Sequence, residues 1–233
     1  MNIVTIKDFT EDATQSEINL SRMTTLLNRV KEGVSVPAVI AGGAVRDTLL
    51  GYPYNDIDFF LTGVPDDVLS LDDYAVLASE AVKDFSESVG WQNTHAALVG
   101  DYVEYVDSAF EVRRLYDAGS KAGPTFNKNL DFIARHASLE DTINSFDYGL
   151  VKGYYDGENF YVHDEFLEIM KNGRVNPQNK RAERRVKRWR MRTGYSLVIG
   201  RPPKVENTLS RDAAYCTTGF SGMPAKLVGA IEN

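Results

Sequence analysis

An apolar run from Val34 to Ala41 stops on Gly42-Gly43, and the next apolar run, Asn55 to Leu61, carries Asp56-Ile57-Asp58 at its start. The first run reads as a strand whose composition suits the middle of a sheet. The glycines mark a turn, and Ala44 to Leu50 reads as a short helix that ends near Gly51 and Pro53. On the returning strand side chains alternate with period two, so Asp56 and Asp58 share a side. Strand, glycine turn, short helix and acidic strand thus constrain the fold more than any other part of the chain.

The remaining segments supply what such a sheet needs around it. Asp8 to Glu32 reads as a helix, with Leu20, Met23, Leu27 and Val30 near helical spacing and Gly33 as a stop. Gly63 to Asp67 reads as a turn and Ser70 to Val89 as a helix with an acidic exposed face. Ala96 to Val99, Tyr102 to Val106 and Leu130 to Ile133 are expected strands, with a polar loop from Asp117 to Asn129 between them. Leu139 to Asn144 is expected to be a short helix capped by Ser138, with Asp141 in its first turn. Phe146 to Tyr155 and Asn159 to Val162 read as a hairpin around Asp156-Gly157. Asp164 to Lys171 opens a terminal helical region, and Gly173 to Pro177 is a loop. From Gln178 to Arg192, Ala182, Val186 and Trp189 form one apolar stripe among cations. The chain after Gly194 reads as irregular, and no internal repeat is present. The expected division is residues 1–165 as a head domain and 166–233 as a basic helical extension with a tail.

Charge decides between partner classes. The 233 residues carry a net charge of -7, which argues against a protein that coats DNA indiscriminately. Yet Lys171 to Lys204 holds 12 Lys or Arg and the single acid Glu183, a net +11 against -18 for the remainder. A local anion site survives the global acidity. Cys216 is the one cysteine, so neither a disulfide framework within the chain nor a four-cysteine metal cluster is available. Met1 to Thr10 lacks the pattern of a signal peptide, and no run reaches the roughly 18 apolar residues of a membrane span. The expectation is a globular, cytoplasmic protein with no membrane partner.

Two carboxylates side by side on a strand suit hard cations, because magnesium favours carboxylate and phosphate oxygens and a second ion stabilises a leaving group. Gly42 and Gly43 let the main chain approach an anion, and amides at the start of the next helix offer hydrogen bonds to phosphate. Together these segments outline a pocket for a triphosphate and metal. Arg46 has two readings of equal weight, a phosphate contact or a structural pair with Asp47 or another acid. Arg181, Arg184, Arg185, Lys187 and Arg188 lie on a dense cationic helix, as counter-charges to triphosphate or nucleic acid or as a solvated face offsetting the acidic head. Arg184 and Arg188 share a face. His95, His136 and His163 are too widely spaced to make a zinc site with Cys216. Tyr52, Tyr54, Tyr102 and Tyr105 suit structural roles better than base stacking.

The stretch Ile40-Ala41-Gly42-Gly43-Ala44-Val45-Arg46-Asp47, followed by Leu49-Leu50-Gly51 and Asp56-Ile57-Asp58, resembles the head-domain signature of the nucleotidyltransferase superfamily that contains transfer-RNA CCA-adding enzymes and bacterial poly(A) polymerases. The segment Leu139 to Gly157 with the basic helix after it is similar to small bacteriophage members. The resemblance implies an α+β fold, a polymerase-beta-like head with a small mixed sheet flanked by helices and a basic C-terminal helical region. It implies that Asp56 and Asp58 bind catalytic magnesium, as two ions with manganese as a substitute. A third carboxylate is expected on an adjacent strand; Asp147 is the first candidate, with Asp131 and Asp141 as alternatives. Gly42, Gly43, Arg46, Arg184 and Arg188 are the candidates for nucleotide contact. The match departs from the tRNA-tailing enzymes at Asp141-Thr142-Ile143-Asn144, a partial ribose-recognition motif, and in lacking the large helical body. CCA addition is therefore not expected.

The expected activity is transfer of a nucleoside monophosphate from ATP or another nucleoside triphosphate to a hydroxyl acceptor, RNA or a small molecule, with release of pyrophosphate. Localisation would be the cytoplasm, including that of an infected host cell. A catalytically inactive nucleotide- or RNA-binding module is the alternative.

Overall fold

Helix α1 (Thr14–Gly33) buries Met23, Leu26, Leu27 and Val30, the positions that recur at three- and four-residue intervals. It begins later than the sequence pattern suggests. Ile6–Asp8 instead forms a 3-10 turn, closed by the Thr5 amide donating to Asp8 Oδ2 at 2.6 Å. The computed structural model describes residues 1–34, 37–62, 80, 83, 92–97, 109–116, 129–135 and 138–200. Met1–Pro202 forms one unit.

Strands β1 (Asn2–Val4), β2 (Ala38–Ala41), β3 (Asp56–Thr62), β4 (Gln92–Ala97), β5 (Ala109–Tyr116), β6 (Asn129–Arg135), β7 (Gly153–Tyr155) and β8 (Phe160–Val162) make an eight-stranded mixed sheet. The order is β1-β8-β7-β2-β3-β6-β5-β4. Every pairing is antiparallel except β3 with β6. Between β2 and β3 lies α2 (Gly43–Leu49), as the glycine turn requires. Helix α3 (Leu139–Asn144) follows β6 and is capped by Ser138, whose side chain accepts from the Asp141 amide. Helices α4 (Asp164–Asn172) and α5 (Lys180–Thr193) follow the hairpin of β7 and β8. A small parallel pair, β9 (Arg174–Val175) with β10 (Val198–Ile199), falls where loop and irregular tail were expected.

Period-two alternation divides the core. Ile40, Ile57, Phe59, Leu130 and Phe132 face a large apolar cluster with Met23, Leu27, Val45, Phe166, Val186 and Trp189. Val39, Ala41, Phe60 and Ile133 point the other way and pack with Ile143 of α3 and the ring of Phe146. Phe166, Val186 and Trp189 thus share the core of the sheet, so α4 and α5 are integral to it.

Phe146 to Tyr155 is not one strand. Residues Gly149–Val151 form a 3-10 turn, and the strand is limited to Gly153–Tyr155. The cause is packing: a Cβ at Gly149 would lie 2.8 Å from Glu165 Cβ and Ile169 Cδ1, so the backbone is pressed against α4 there. The hairpin itself forms, with Asp156 Oδ1 accepting from the Glu158 and Asn159 amides at 2.8 Å each. The expected turn at Gly63 to Asp67, the strand at Tyr102 to Val106 and the loop at 117–128 lie outside the described residues, as does nearly all of the Ser70 to Val89 helix. No described helix is long and apolar enough to cross a membrane.

Candidate active site

Asp58 is the residue around which the site assembles. Its strand neighbours Ile57 and Phe59 are buried in the large cluster, so Asp58 points to the opposite face together with Phe60. Across the antiparallel pair its partner is Ala41, the residue before the glycine turn. Across the parallel pair its partner is Asp131, and Phe60 is matched to Ile133 in the same register. Asp58 and Asp131 therefore occupy neighbouring strands on one face, about 4.8 Å apart in the strand-to-strand direction. Asp131 is 1% exposed, Asp58 is half-buried and Asp56 is exposed at the strand's entrance.

Gly42 closes one side. Its φ of 82° lies in the region that side-chain-bearing residues avoid. The site of its missing Cβ is 3.6 Å from Asp58 Oδ2 and 4.0 Å from Phe146 Cε2. The Gly42 amide donates to the Gly153 carbonyl at 3.0 Å, which ties the turn to β7. Gly43 opens α2 and is only half-buried.

Behind this turn sits a buried ionic cluster. Arg46 Nε and Nη2 both reach Asp47 Oδ1 at 2.8 Å, and Nη1 donates to the Tyr148 hydroxyl at 2.9 Å. The guanidinium stacks on the Trp189 ring at 4.7 Å. Burial opposes its charge, but Tyr148 and Asp47 outweigh burial and the repulsion of Arg185, holding Arg46 above its ordinary range. Asp47 Oδ1 also accepts from Trp189 Nε1 at 2.7 Å, and Oδ2 from Arg192 Nη2 at 2.6 Å. Arg46, 6% exposed, is thus bound into the contact between α2 and α5.

Asp147 lies in the bend after α3, ahead of the 3-10 turn, not on a strand beside β3. Both its carboxylate oxygens accept from Arg185 Nη1 at 3.0 Å. The Arg185 guanidinium stands over the Tyr148 ring at 5.5 Å. Burial again opposes the charge, while Tyr148, Asp147 and Asp58 together raise the Arg185 pKa. Asp141 bonds Ser138 at the start of α3. Arg184 and Arg188 are exposed on α5, and Arg184 Nε reaches only the Lys180 carbonyl at 3.3 Å. Sequence reasoning named the cations of α5 without singling out Arg185. The signal was present: Arg185 follows Ala182 by three and adjoins Val186, which places it beside the buried stripe.

Other candidates have structural places. His163 Nδ1 accepts from the Glu165 amide at 3.2 Å and caps α4. Tyr52 packs edge-on against Trp189 and Tyr195, and Tyr54 is buried in the large cluster. His136, Tyr102, Tyr105 and Cys216 lie outside the described residues.

The donors at Asp56, Asp58 and Asp131 are hard oxygens on one sheet face, which suits magnesium. Among the described residues no three His, Cys, Asp or Glu side chains form a ready-made cage. Magnesium is usually held by one or two carboxylates with substrate phosphates and water completing the shell, so this donor set fits an ion that arrives with a nucleotide.

The fold resembles solved structures of a CCA-adding enzyme and a tRNA-processing enzyme. A Thermotoga maritima CCA-adding enzyme complexed with tRNA superposes with a TM-score of 0.50 at 15% identity, over 77% of this chain and 38% of that one. A tRNA-processing enzyme in an apo form gives 0.52 at 17% identity, over 78% of this chain and 44% of that one. The chain thus spans less than half the length of either enzyme. Comparison with curated proteins gives no match. A family model described as Gabija anti-defense 2 family protein matches residues 17–172.

Proposed function

We propose, from the premise that the chain belongs to the Gabija anti-defense 2 family, that it is a magnesium-dependent nucleotidyltransferase and that nucleotidyl transfer is its means of acting against a Gabija defence. The observation that carries this reading is the register of Asp58 with Asp131 beside the Gly42 turn. In this reading Asp56, Asp58 and Asp131 hold the metal. Asp131 takes the third place because it shares the face and register of Asp58, whereas Asp147 lies in the bend ahead of the 3-10 turn, off the sheet.

Gly42 and Gly43 give a nucleoside triphosphate close access to the backbone next to these carboxylates. A hydroxyl of the acceptor attacks the α-phosphorus, a new P–O bond forms, and the bond to the β-phosphate oxygen breaks, releasing pyrophosphate. The hydroxyl proton passes to the carboxylate group. Magnesium, when bound, neutralises the developing charge and makes the hydroxyl a better nucleophile. Arg46 keeps α2 and α5 in place through Asp47, which fixes the glycine turn.

The test is incubation of the purified chain with each labelled nucleoside triphosphate, magnesium or manganese, and mixed RNA, protein and small-molecule acceptors. Label transfer and pyrophosphate would be followed beside Asp56→Asn and Asp58→Asn. Transfer that disappears in both variants supports the reading. Triphosphate binding without any transfer, under all acceptors, points to a nucleotide-binding module instead.

A further inference from the structure

We propose that Arg185 grips the terminal phosphates of the nucleoside triphosphate, and that Asp147 is the positioning residue that aims it. The inference rests on the nucleotidyltransferase reading and assigns a subsite within it. A triphosphate whose β- and γ-phosphates become the leaving group needs a cation near the carboxylate floor. That cation must have donors to spare, because a guanidinium already saturated by carboxylates has nothing left for phosphate.

The arginines differ sharply on this point. All three nitrogens of Arg46 are committed to Asp47 and the Tyr148 hydroxyl, and its side chain is buried. Arg192 gives one nitrogen, Nη2, but to Asp47 within the cluster of Arg46 and Trp189, not to an acid beside the Phe146 and Gly42 corner. Arg184 and Arg188 project on the exposed side of α5. Arg185 alone among these gives one nitrogen, Nη1, to both oxygens of Asp147. Its Nε and Nη2 make no hydrogen bond to another described residue. Its side chain is 39% exposed, so ligand can reach it. The Tyr148 ring beneath and the Asp147 fork beside it fix the guanidinium plane, which reduces the ordering cost of a two-pronged phosphate contact.

Position agrees with this role. Asp147 directly follows Phe146, whose ring lies against the Gly42 turn, and that turn abuts Asp58. Arg185 is therefore at the rim of the same corner, near enough that Asp58 contributes to holding its proton. The acidic residue at position 147 serves the site through an arginine.

Equilibrium titration of the full chain with a non-hydrolysable nucleoside triphosphate analogue, the matching monophosphate and inorganic pyrophosphate, all with magnesium, tests the proposal. Arg185→Gln should weaken triphosphate and pyrophosphate binding by about 10- to 100-fold and leave the monophosphate unchanged. Arg185→Lys should fall between, because an ammonium keeps the charge but not the fork. Asp147→Asn should lower the triphosphate preference less, by about 3- to 10-fold, since it loosens the aim and keeps the cation. Should Arg185→Gln fail to fold, Arg185→Lys and Asp147→Asn test the same triphosphate-to-monophosphate preference through their smaller losses. A lower melting temperature with an unchanged triphosphate-to-monophosphate ratio means a purely structural ion pair and overturns the assignment alone. Absence of triphosphate binding by the unaltered protein overturns the nucleotidyltransferase reading and this assignment with it.

Discussion

Asp131 is the register partner of Asp58 across the parallel pair of β3 and β6, so two carboxylates distant in sequence stand on adjacent strands of one sheet face. If they share a metal with the nucleotide, removing one charge without changing shape should weaken metal binding and catalysis together. Asp131→Asn is expected to cut pyrophosphate release by about 100-fold or more, and to raise the magnesium needed for half-maximal rate. Asp147→Asn should instead raise the KM for triphosphate and leave the magnesium response as it was. Initial rates across a magnesium titration distinguish the two. An Asp131→Asn enzyme that matches the unaltered protein at saturating magnesium would return the third place to another acid.

Asp47 accepts from three donors, Arg46 beside it on α2 and Trp189 and Arg192 of α5, and the last two join the helices. Substitution by Ala leaves the Arg46 charge buried without its partner, which costs about 3–5 kcal/mol. Trp189→Phe keeps most of the packing and loses one hydrogen bond to a charged group, about 1.5–3 kcal/mol. Urea unfolding of the two variants should rank them in that order, with the slope against urea unchanged. A loss below about 1 kcal/mol for Asp47→Ala would mean that Arg46 finds another partner and that the cluster does not hold the turn.

Local chemistry made much of this fold readable. The glycine pair, the Ser138 cap and the Asp156-Gly157 turn each act over a few residues, and each appears where the sequence places it. Phe146 to Tyr155 reads as one strand, yet Gly149 lies against Glu165 and Ile169 and the chain curls there. That contact belongs to tertiary packing, which no local pattern carries. The same limit applies to Asp131: the parallel pairing of β3 and β6 arises from crossover topology, so its register with Asp58 is not written near either residue. Arg185 does not stand out in the sequence because the eight cations of α5 look alike until burial of Ala182, Val186 and Trp189 sets the helix rotation.

Tyr54, just ahead of β3, is buried, and burial against the weaker opposing influence of Arg22 pushes its phenol up to about 12. The neutral form is the one the fold accepts. With a folded pKa above the unfolded value of about 10, its contribution is complete below pH 10 and is lost as pH rises from there through about 12. Tyr54→Phe should therefore lose less stability over that alkaline window than the unaltered chain. Tyr154, Tyr161 and Tyr195 are also raised, so the decline should narrow without vanishing. Thermal melts at intervals from pH 9 to 12 would show it. Parallel curves for the two proteins would contradict the assignment.

Gly42 and Gly173 share a positive φ, of 82° and 67°, but only one borders the carboxylates. A Cβ at Gly42 would sit in ordinary contact with Asp58 Oδ2 and Phe146, so the penalty of Gly42→Ala lies in the backbone, whose φ of 82° and ψ of -131° fall outside even the left-handed helical region, and amounts to about 1–3 kcal/mol. Relief of that strain rotates the turn and strains the Gly42 amide's bond to the Gly153 carbonyl, moving the edge against which Asp58 is set. Gly173→Ala, at φ 67° and ψ 17° in the left-handed helical region, costs about 1–2 kcal/mol at the end of α4, where a Cβ meets nothing within 4 Å. Gly42→Ala should lose at least as much stability as Gly173→Ala in urea unfolding. Only Gly42→Ala should lose transfer activity, by about 10-fold or more, since a small misplacement at the reacting centre has an effect out of proportion to its energy. Equal activity in the two variants would detach the glycine turn from the chemistry and leave it a structural turn.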